Sequence, residues 1–413
     1  MFGLAAHLPD FIEITRYTIK GTHMGYIAAR GGTTAIINAE QLVEYLRLQG
    51  GSTPLELIQI RDQLRHAVGR AMNEGALYAP MLAALAVKQA EGDSIEASFL
   101  LRAYRSTLSR IMPTLPISGE AMRCMRRISA SFKDIPGGQM LGPSQDYQIR
   151  LLNNLIASET AESVTAVLAA YEQLVDAGMS ADGAIGHFPK VADYMRQQQM
   201  IAPLPSEPDT SEPYDITRTA ISFPCPRSAR LQSLAQGDTG CLLTYAYSSV
   251  RGYGDAHPTL AELRFGYLPI QVAHPLTGEA ITIGEISATE CEIVSKAHSV
   301  AAKQSTPRFN LGYGFTFGHG EVKAISMAIL DSVLTQAKAK GLSGESGPAA
   351  NEEFVLLHSD GIEASGFTAH YKLPHYVTFE ADLKVLDRAR EHTTTQSQTR
   401  LQEIATRTQE ASA

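Results

Sequence analysis

No tryptophan occurs among the 413 residues, and only four are cysteine. These four, Cys124, Cys225, Cys241 and Cys291, form no CxxC pair and have no histidine at zinc-finger spacing. They are too few and too scattered to staple a small secreted fold, and they suit a reducing compartment. Charge is sparse as well. Charged residues make up 19%, and 35 basic against 43 acidic residues leave a net charge of −8. That balance gives no reason to expect nucleic acid or a membrane surface as a partner. No apolar run approaches the length needed to cross a bilayer. The first 23 residues lack the basic start and unbroken apolar stretch of a signal peptide. The expected location is therefore cytoplasmic. The motifs GxSxG and HExxH and the local cysteine-protease signatures are missing, so hydrolases built on them are unsupported. The 33 glycines follow no triplet period, and there is no internal repeat.

What remains is an ordinary globular composition, 44% hydrophobic, with ample material for a core. At roughly 150 residues per domain it suggests two to three domains or one composite. Residues 1–23 read as a non-native extension ahead of Met24, where MGYIAARGG suggests a short strand. Residues 24–202 read as mainly helical. Leu77, Met81, Leu82 and Leu85 recur at helical spacing before Gly92, and Gly178 marks a further helix stop. Residues 203–213, rich in Pro, Ser and acids, read as a linker. Residues 214–392 then read as an α+β region, with β-like segments at CLLTYAYSSV, AELRFGYLPIQV, EAITIGEI and ECEIVSKA. A long helix follows over EVKAISMAILDSVLTQAKAKG, stopped by Gly341. FVLLHSD reads as a short buried strand, ADLKVLDRAREH as a closing helix, and 393–413 as a polar tail, frayed or weakly helical. The expected class is α+β: a helical N-terminal half, then a mixed β region with a long packing helix.

Four segments concentrate chemistry. In HSDGIEASGFTAHYKLPHY, residues 358–376, His358, His370 and His375 stand with Asp360 and Glu363. Five residues advance an ideal helix by about 500°, so His370 and His375 would diverge on one. Pro374 favours an extended or turn backbone on which both rings could meet one ion, supplying half of a four-ligand zinc site. Nickel, copper and iron also accept imidazole. The plain alternative is ordinary histidines. In FNLGYGFTFGHGEVKA, Gly312, Gly314, Gly318 and Gly320 precede the long helix, and Lys323 lies in its first turn. Such a turn offers N–H groups and a positive dipole end to phosphate, or simply a tight strand-to-helix turn. In SSVRGYGDAHPTLAELR, Arg251, Asp255, His257, Glu262 and Arg264 crowd a Gly-rich turn, which reads as an anion-holding loop or an exposed hairpin with a surface ion pair. In MRCMRRISASFKDIPGGQMLGP, Arg123, Arg126, Arg127 and Lys133 suit polyphosphate, but a solvated basic helix face is the simpler reading. His66 and Arg70 read as packing and salt-bridge residues.

Taken in order, IRDQLRHAVGRAMNEGALY, MRRISASFKDIPGGQMLGP, FPCPRSARLQSLAQGDTG, SSVRGYGDAHPTLAELRFG, LGYGFTFGHGEVKAISMAILD and HSDGIEASGFTAHYKLPHYVTF resemble one family. It is the I-subunit family (PhnI) of the bacterial carbon–phosphorus lyase core complex, and the resemblance runs from about Met24 to about Leu386. It implies a role in phosphonate breakdown. With G, H and L subunits, the family is associated with displacing adenine from MgATP by methylphosphonate, giving α-D-ribose 1-methylphosphonate 5-triphosphate. Alone, it is linked to purine nucleosidase activity on ATP or GTP. The implied assembly contains G, H, I and J subunits, with paired I subunits at its two-fold centre. His370 and His375 match the family's His-x-x-x-x-His metal pair near the J subunit, which would supply the missing zinc ligands. Residue chemistry then suggests Asp360 and Glu363 as carboxylates beside an oxocarbenium-like centre and His358 as an acid for the leaving purine. Arg251, His257 and Arg264 would hold anions, with Gly312–Gly320 and Lys323 as a phosphate cradle. The competing reading is a dimeric scaffold that contributes half of an interface metal site while catalysis sits on partners.

Overall fold

The computed structural model describes residues 32–176, 188–204, 212–251, 257–296, 307–341 and 347–410. Helices come first: α1 (Gly32–Leu48), α2 (Leu57–Gln63), α3 (Arg65–Glu74), α4 (Pro80–Gln89) and α5 (Ser94–Ser106). Pro80 starts α4 at a position where its missing N–H costs nothing. Asp93 caps α5 by accepting from Ile95 and Glu96 N–H groups. Strand β1 (Arg123–Ile128), α6 (Ala161–Asp176), α7 (Val191–Gln197), α8 (Arg227–Gln236) and α9 (Thr239–Arg251) follow. Strands β2 (Thr259–Ala273), β3 (Ala280–Lys296) and β4 (Phe309–Phe317) lead into α10 (Glu321–Lys340). The chain continues through α11 (Glu352–His358), α12 (Gly361–Ala369) and α13 (Tyr376–Glu410).

The class is α+β as expected, and the four strands form one antiparallel sheet in the order β1-β2-β3-β4. Its first strand comes from the half that reads as helical, because β1 pairs with β2. The sheet has two unlike faces. Leu263, Cys291 and Ile293 point to one side and pack on Ala324 and Ala328 of α10. Gly312 and Gly314, opposite Ile293 and Cys291 in the register, let α10 lie directly on β4. A Cβ on Gly314 would sit 2.0 Å from the Ala324 carbonyl oxygen, and one on Gly312 would sit 2.1 Å from that of Ala328. The other side of α10 builds a second core, in which Met327, Leu330 and Leu334 meet Leu234, Leu242, Ala246 and Val355. Helices α2 to α5 form a third, around Ile60, Val68, Met72, Val87 and Leu101.

The opposite face of the sheet carries charge. Arg127 and Glu262, both about 1% exposed at the side chain, pair at 2.5 Å. Glu262 also accepts from the Val191 N–H at 3.1 Å. Lys190 bridges Glu290 at 2.9 Å and Glu292 at 2.8 Å. Arg264 pairs with Glu290 and donates to the Gly119 carbonyl at 2.8 Å. Burial works against ionising Glu290, yet Lys190 and Arg264 hold its carboxyl below the usual range. Burial prevails at Glu292 and pushes it up.

Three sequence expectations fail here. Residues 241–250 are helical, inside α9, because Leu242, Ala246 and Ser249 share one buried face at helical rather than alternating spacing. FVLLHSD is not a strand. Asn351 accepts from the Phe354 N–H and starts α11, which buries Val355 and Leu356. A short apolar run does not separate the two possibilities by periodicity alone. Third, the basic segment is not a solvated helix face: Arg126 and Arg127 lie in β1, 2% and 1% exposed. The strand at Met24 and the stop at Gly178 fall outside the described residues. So do residues 205–211 of the linker.

The chain divides into two compact units, Thr53–Ala364, and Met1–Ser52 with Ser365–Ala413. The linker expectation falls within the first. In the second, α1 buries no residue, and α13 continues to Glu410, so the polar tail takes the helical of its two expected forms. No helix among the described residues is long and apolar enough to cross a membrane.

Candidate functional site

In Thr53–Ala364, a pocket of about 400 Å³ opens at the N-terminus of α10. Strand β4 ends at Phe317 and turns through Gly318, whose φ of +64° is a left-handed conformation that glycine adopts without strain. The turn is tied down on both sides. Gly318 N–H donates to the Ser287 carbonyl at 2.8 Å, and its own carbonyl accepts from Thr289 Oγ1 at 2.6 Å. Asn73 on α3 donates to the Phe317 carbonyl at 2.9 Å and accepts from the Phe317 N–H at 2.7 Å. That amide clamp brings α3, with Arg65, His66 and Arg70, against the start of α10.

Gly320 is the N-cap of α10 and provides no side-chain cap. The 20-residue helix therefore presents its first-turn N–H groups and the positive end of its dipole. Lys323, one turn in, lines the pocket. It is 3% exposed, and its Nζ has no hydrogen-bond partner among the described residues. Burial pushes its ammonium down to about 8. Glu74 and Asp238 oppose that shift, while Arg70 and Arg102 add to it. His319 stacks on Phe265 at 3.6 Å and meets His66 edge-on at 5.9 Å. Burial, then Arg65 and His66, push it down to about 4, so its imidazole is neutral at pH 7.

The two acids on the pocket wall, Glu321 and Asp146, both pair with buried Arg126, Glu321 at 2.7 Å. Arg70 is held by Glu74 at 2.9 Å and by Asp238. Arg102 pairs with Asp360 at 2.6 Å and donates to the Glu74 carbonyl. Thus Asp360 sits one arginine away from the helix that carries Arg70. It also caps α12, accepting from Ile362 N–H at 2.9 Å and Glu363 N–H at 3.3 Å. Glu363 is exposed and enters no ion pair among the described residues. His358 is exposed, stacks on Phe354 at 4.6 Å and turns Nδ1 to the Phe354 carbonyl at 2.8 Å.

The remaining sequence candidates lie elsewhere. Arg251 ends α9 with its guanidinium over the Tyr247 ring. His257 is exposed ahead of β2. Arg264 is committed to the buried sheet network, and Gly312 and Gly314 to the approach of α10. Of the proposed cradle, Lys323 lines the pocket, as does Gly320. Arg65, His66, Arg70 and His319 complete it. Sequence reading set His66 and Arg70 aside, and no local signal marks them.

In the unit that contains it, the His370–His375 pair is close, with ring centroids 5.3 Å apart. The chain leaves α12 through a short 3-10 turn at His370–Lys372 and enters α13 at Tyr376, so Pro374 breaks the helix between the two rings. Nδ1 of His375 faces the Leu373 carbonyl at 2.6 Å, and Nδ1 of His370 faces that of Phe367. An Nδ1–H given to a carbonyl leaves Nε2 as the ligand atom. The donor chemistry fits a metal that accepts two imidazoles. No group of three or more candidate ligands occurs among the described residues.

The comparisons with known proteins agree with this chain's pattern of segments. The chain is 48% identical over 377 residues to the putative C-P lyase subunit protein HtxH of Stutzerimonas stutzeri, covering 90% of this chain and 98% of that protein. It is 44% identical over 365 residues to the α-D-ribose 1-methylphosphonate 5-triphosphate synthase subunit PhnI of Escherichia coli, covering 88% and 98%. The Rhizobium meliloti protein of the same name is 40% identical over 376 residues, covering 90% and 97%. The family model for the bacterial phosphonate metabolism protein PhnI matches residues 25–393, and the chain belongs to that family.

Proposed function

We propose that this chain is the I-type subunit of a carbon–phosphorus lyase system and that, with G, H and L partners, it displaces adenine from MgATP by methylphosphonate. The product is α-D-ribose 1-methylphosphonate 5-triphosphate, the name carried by the synthase relatives. Alone, it cleaves the N-glycosidic bond of ATP or GTP as a nucleosidase. The observation that carries the reading, beside family membership, is the basic pocket around Lys323, whose ammonium has no hydrogen-bond partner among the described residues. Both the donor and the acceptor of this reaction are phosphorus oxyanions, and such anions need fixed cations and N–H donors.

Cleavage builds positive charge on the anomeric carbon, which a carboxylate stabilises. Glu363 is the less committed of the two candidate carboxylates, since Asp360 serves Arg102 and the α12 cap. His358 is the candidate to protonate the leaving purine. His370 and His375 would hold a zinc ion through Nε2, with further ligands from a J-type partner, and bound zinc would supply Lewis acidity. Assembly as a dimer core with G, H and J partners is supported by the apolar stripe on α6. Val164, Val167, Leu168, Tyr171 and Leu174 are all exposed there, and one helical face carries them.

A scaffold role with catalysis on the partners is the second reading, favoured by the same stripe. The test is to assemble the partners with Glu363→Gln or Asp360→Asn chains and quantify adenine and the ribosyl product with and without methylphosphonate. Loss of both products in an intact complex is expected. Full adenine release with both variants would favour the scaffold.

A further inference from the structure

We propose that the pocket at the start of α10 is a phosphoryl-anion site, in which Lys323, Arg65, Arg70 and the first-turn N–H groups of the helix close around one tetrahedral dianion. The inference deepens the functional reading and rests on it only for the biological source of the anion.

Three independent observations converge. A helix of 20 residues starts here without a side-chain cap, which suits an anion. An amine that is 3% exposed has no hydrogen-bond partner among the described residues. A buried unpaired polar group costs free energy, and a counter-charge delivered by a ligand removes that cost. Finally, acids near the site are engaged elsewhere. Glu321 and Asp146 pair with Arg126, Glu74 and Asp238 with Arg70, and Asp360 with Arg102. These, with Arg65 and His66 on α3, Arg150 and neutral His319, are the titratable and charged groups around Lys323 among the described residues. The nearby acids leave Nζ free for an incoming oxyanion.

The two sources of such an anion are an alkylphosphonate and the phosphate chain of a nucleotide. Calorimetric titration of the full chain with methylphosphonate, and separately with MgATP, distinguishes them. The expected result is binding of at least one, weakened at least tenfold in Lys323→Met and several-fold in Arg65→Ala. Lys323→Met should melt no lower than the parent, because it removes a buried unpaired amine; Arg65→Ala changes only an exposed side chain. With the ammonium at about 8, binding at pH 9 should take up about 0.9 proton in the parent, shown by titration in two buffers of different ionisation enthalpy. Lys323→Met should lack that uptake. Binding of methylphosphonate alone makes the pocket an acceptor subsite, and binding of MgATP alone a nucleotide subsite. No binding of either, or equal affinity in parent and Lys323→Met, overturns the proposal. Intact anion binding with no adenine release in the assembled complex would instead sink the functional reading and leave this site standing.

Discussion

Gly314→Ala tests how the sheet positions the pocket. The added Cβ would lie 2.0 Å from the Ala324 carbonyl oxygen, 2.9 Å from its carbon and 3.1 Å from the Ala328 nitrogen. All three are backbone atoms of α10, so no side chain can swing aside. The first distance falls about 1 Å short of the 3.0 Å that real Cβ contacts keep, and β4 and α10 must part by a similar amount. A gap of roughly 0.5–1 Å forfeits a quarter to a half of each dispersion contact it opens. The contacts at risk include Leu263, Cys291 and Ile293 against Ala324 and Ala328. Overpacking costs about 1–3 kcal/mol, and a clash against rigid backbone belongs at the upper end, near 3 kcal/mol. Urea unfolding of the full chain, followed by far-UV circular dichroism, reads this directly. At a slope of about 3 kcal/mol/M, the midpoint should fall by about 1 M. Gly366→Ala is the control. Gly366 lies in α12 with nothing within 4 Å of its would-be Cβ, so alanine there should be neutral or stabilise by up to about 1 kcal/mol. A Gly314→Ala chain within about 0.5 kcal/mol of the parent would show that β4 and α10 do not meet at this backbone. A glycine kept for a ligand, not for the helix, would behave that way and weaken anion binding alone.

Other consequences can be checked alongside. Arg127→Leu strands the buried Glu262 carboxylate and should cost about 3–5 kcal/mol of stability; adding Glu262→Gln should recover part of it in a double-mutant cycle. His319, held down to about 4 by burial and by Arg65 and His66, stays neutral in the fold while the unfolded chain protonates near 6.5. Stability should therefore fall as pH drops from about 6.5 to 4, by up to about 3 kcal/mol, and His319→Gln should flatten that slope in melts across the range. In complexes purified with a J-type partner, His370→Ala should lower bound zinc, measured by elemental analysis, from about one per chain to less than a tenth. Among the described residues the ring contacts of half-buried His370 are all local, to Phe367, Tyr371 and His375, so the melting temperature of the lone chain should move little. Retained zinc in that variant would remove the histidine pair from the site.

The helix over 321–340 was legible because Val322, Ile325, Ile329 and Val333 mark one face and Gly341 follows with φ of +65°. Lys323 was legible for the same reason, one turn past a glycine-rich stretch. Arg65, His66 and Arg70 were not. They sit some 250 residues earlier, and tertiary contacts led by the Asn73 clamp on Phe317 bring α3 to the end of β4. Arg264 shows the reverse difficulty. Its sequence neighbourhood looks like an exposed, ligand-holding turn, but a strand position facing Glu290 buries it. Burial of charge depends on what covers a sheet face, and no local spacing encodes that. The β1 arginines misled for the same reason. A basic run normally marks solvent, and here it supplies counter-charges to acids on β2 and on the start of α10.

If the proposed function holds, the glycosidic bond of MgATP is broken only with this chain present. The decisive measurement is adenine released from MgATP by the G, H and L partners, with methylphosphonate, in the presence and absence of this subunit. Adenine that appears only when the chain is added, matched mole for mole by ribose methylphosphonate triphosphate, is the predicted result. Equal release from the partners alone would place the glycosidic chemistry on them instead.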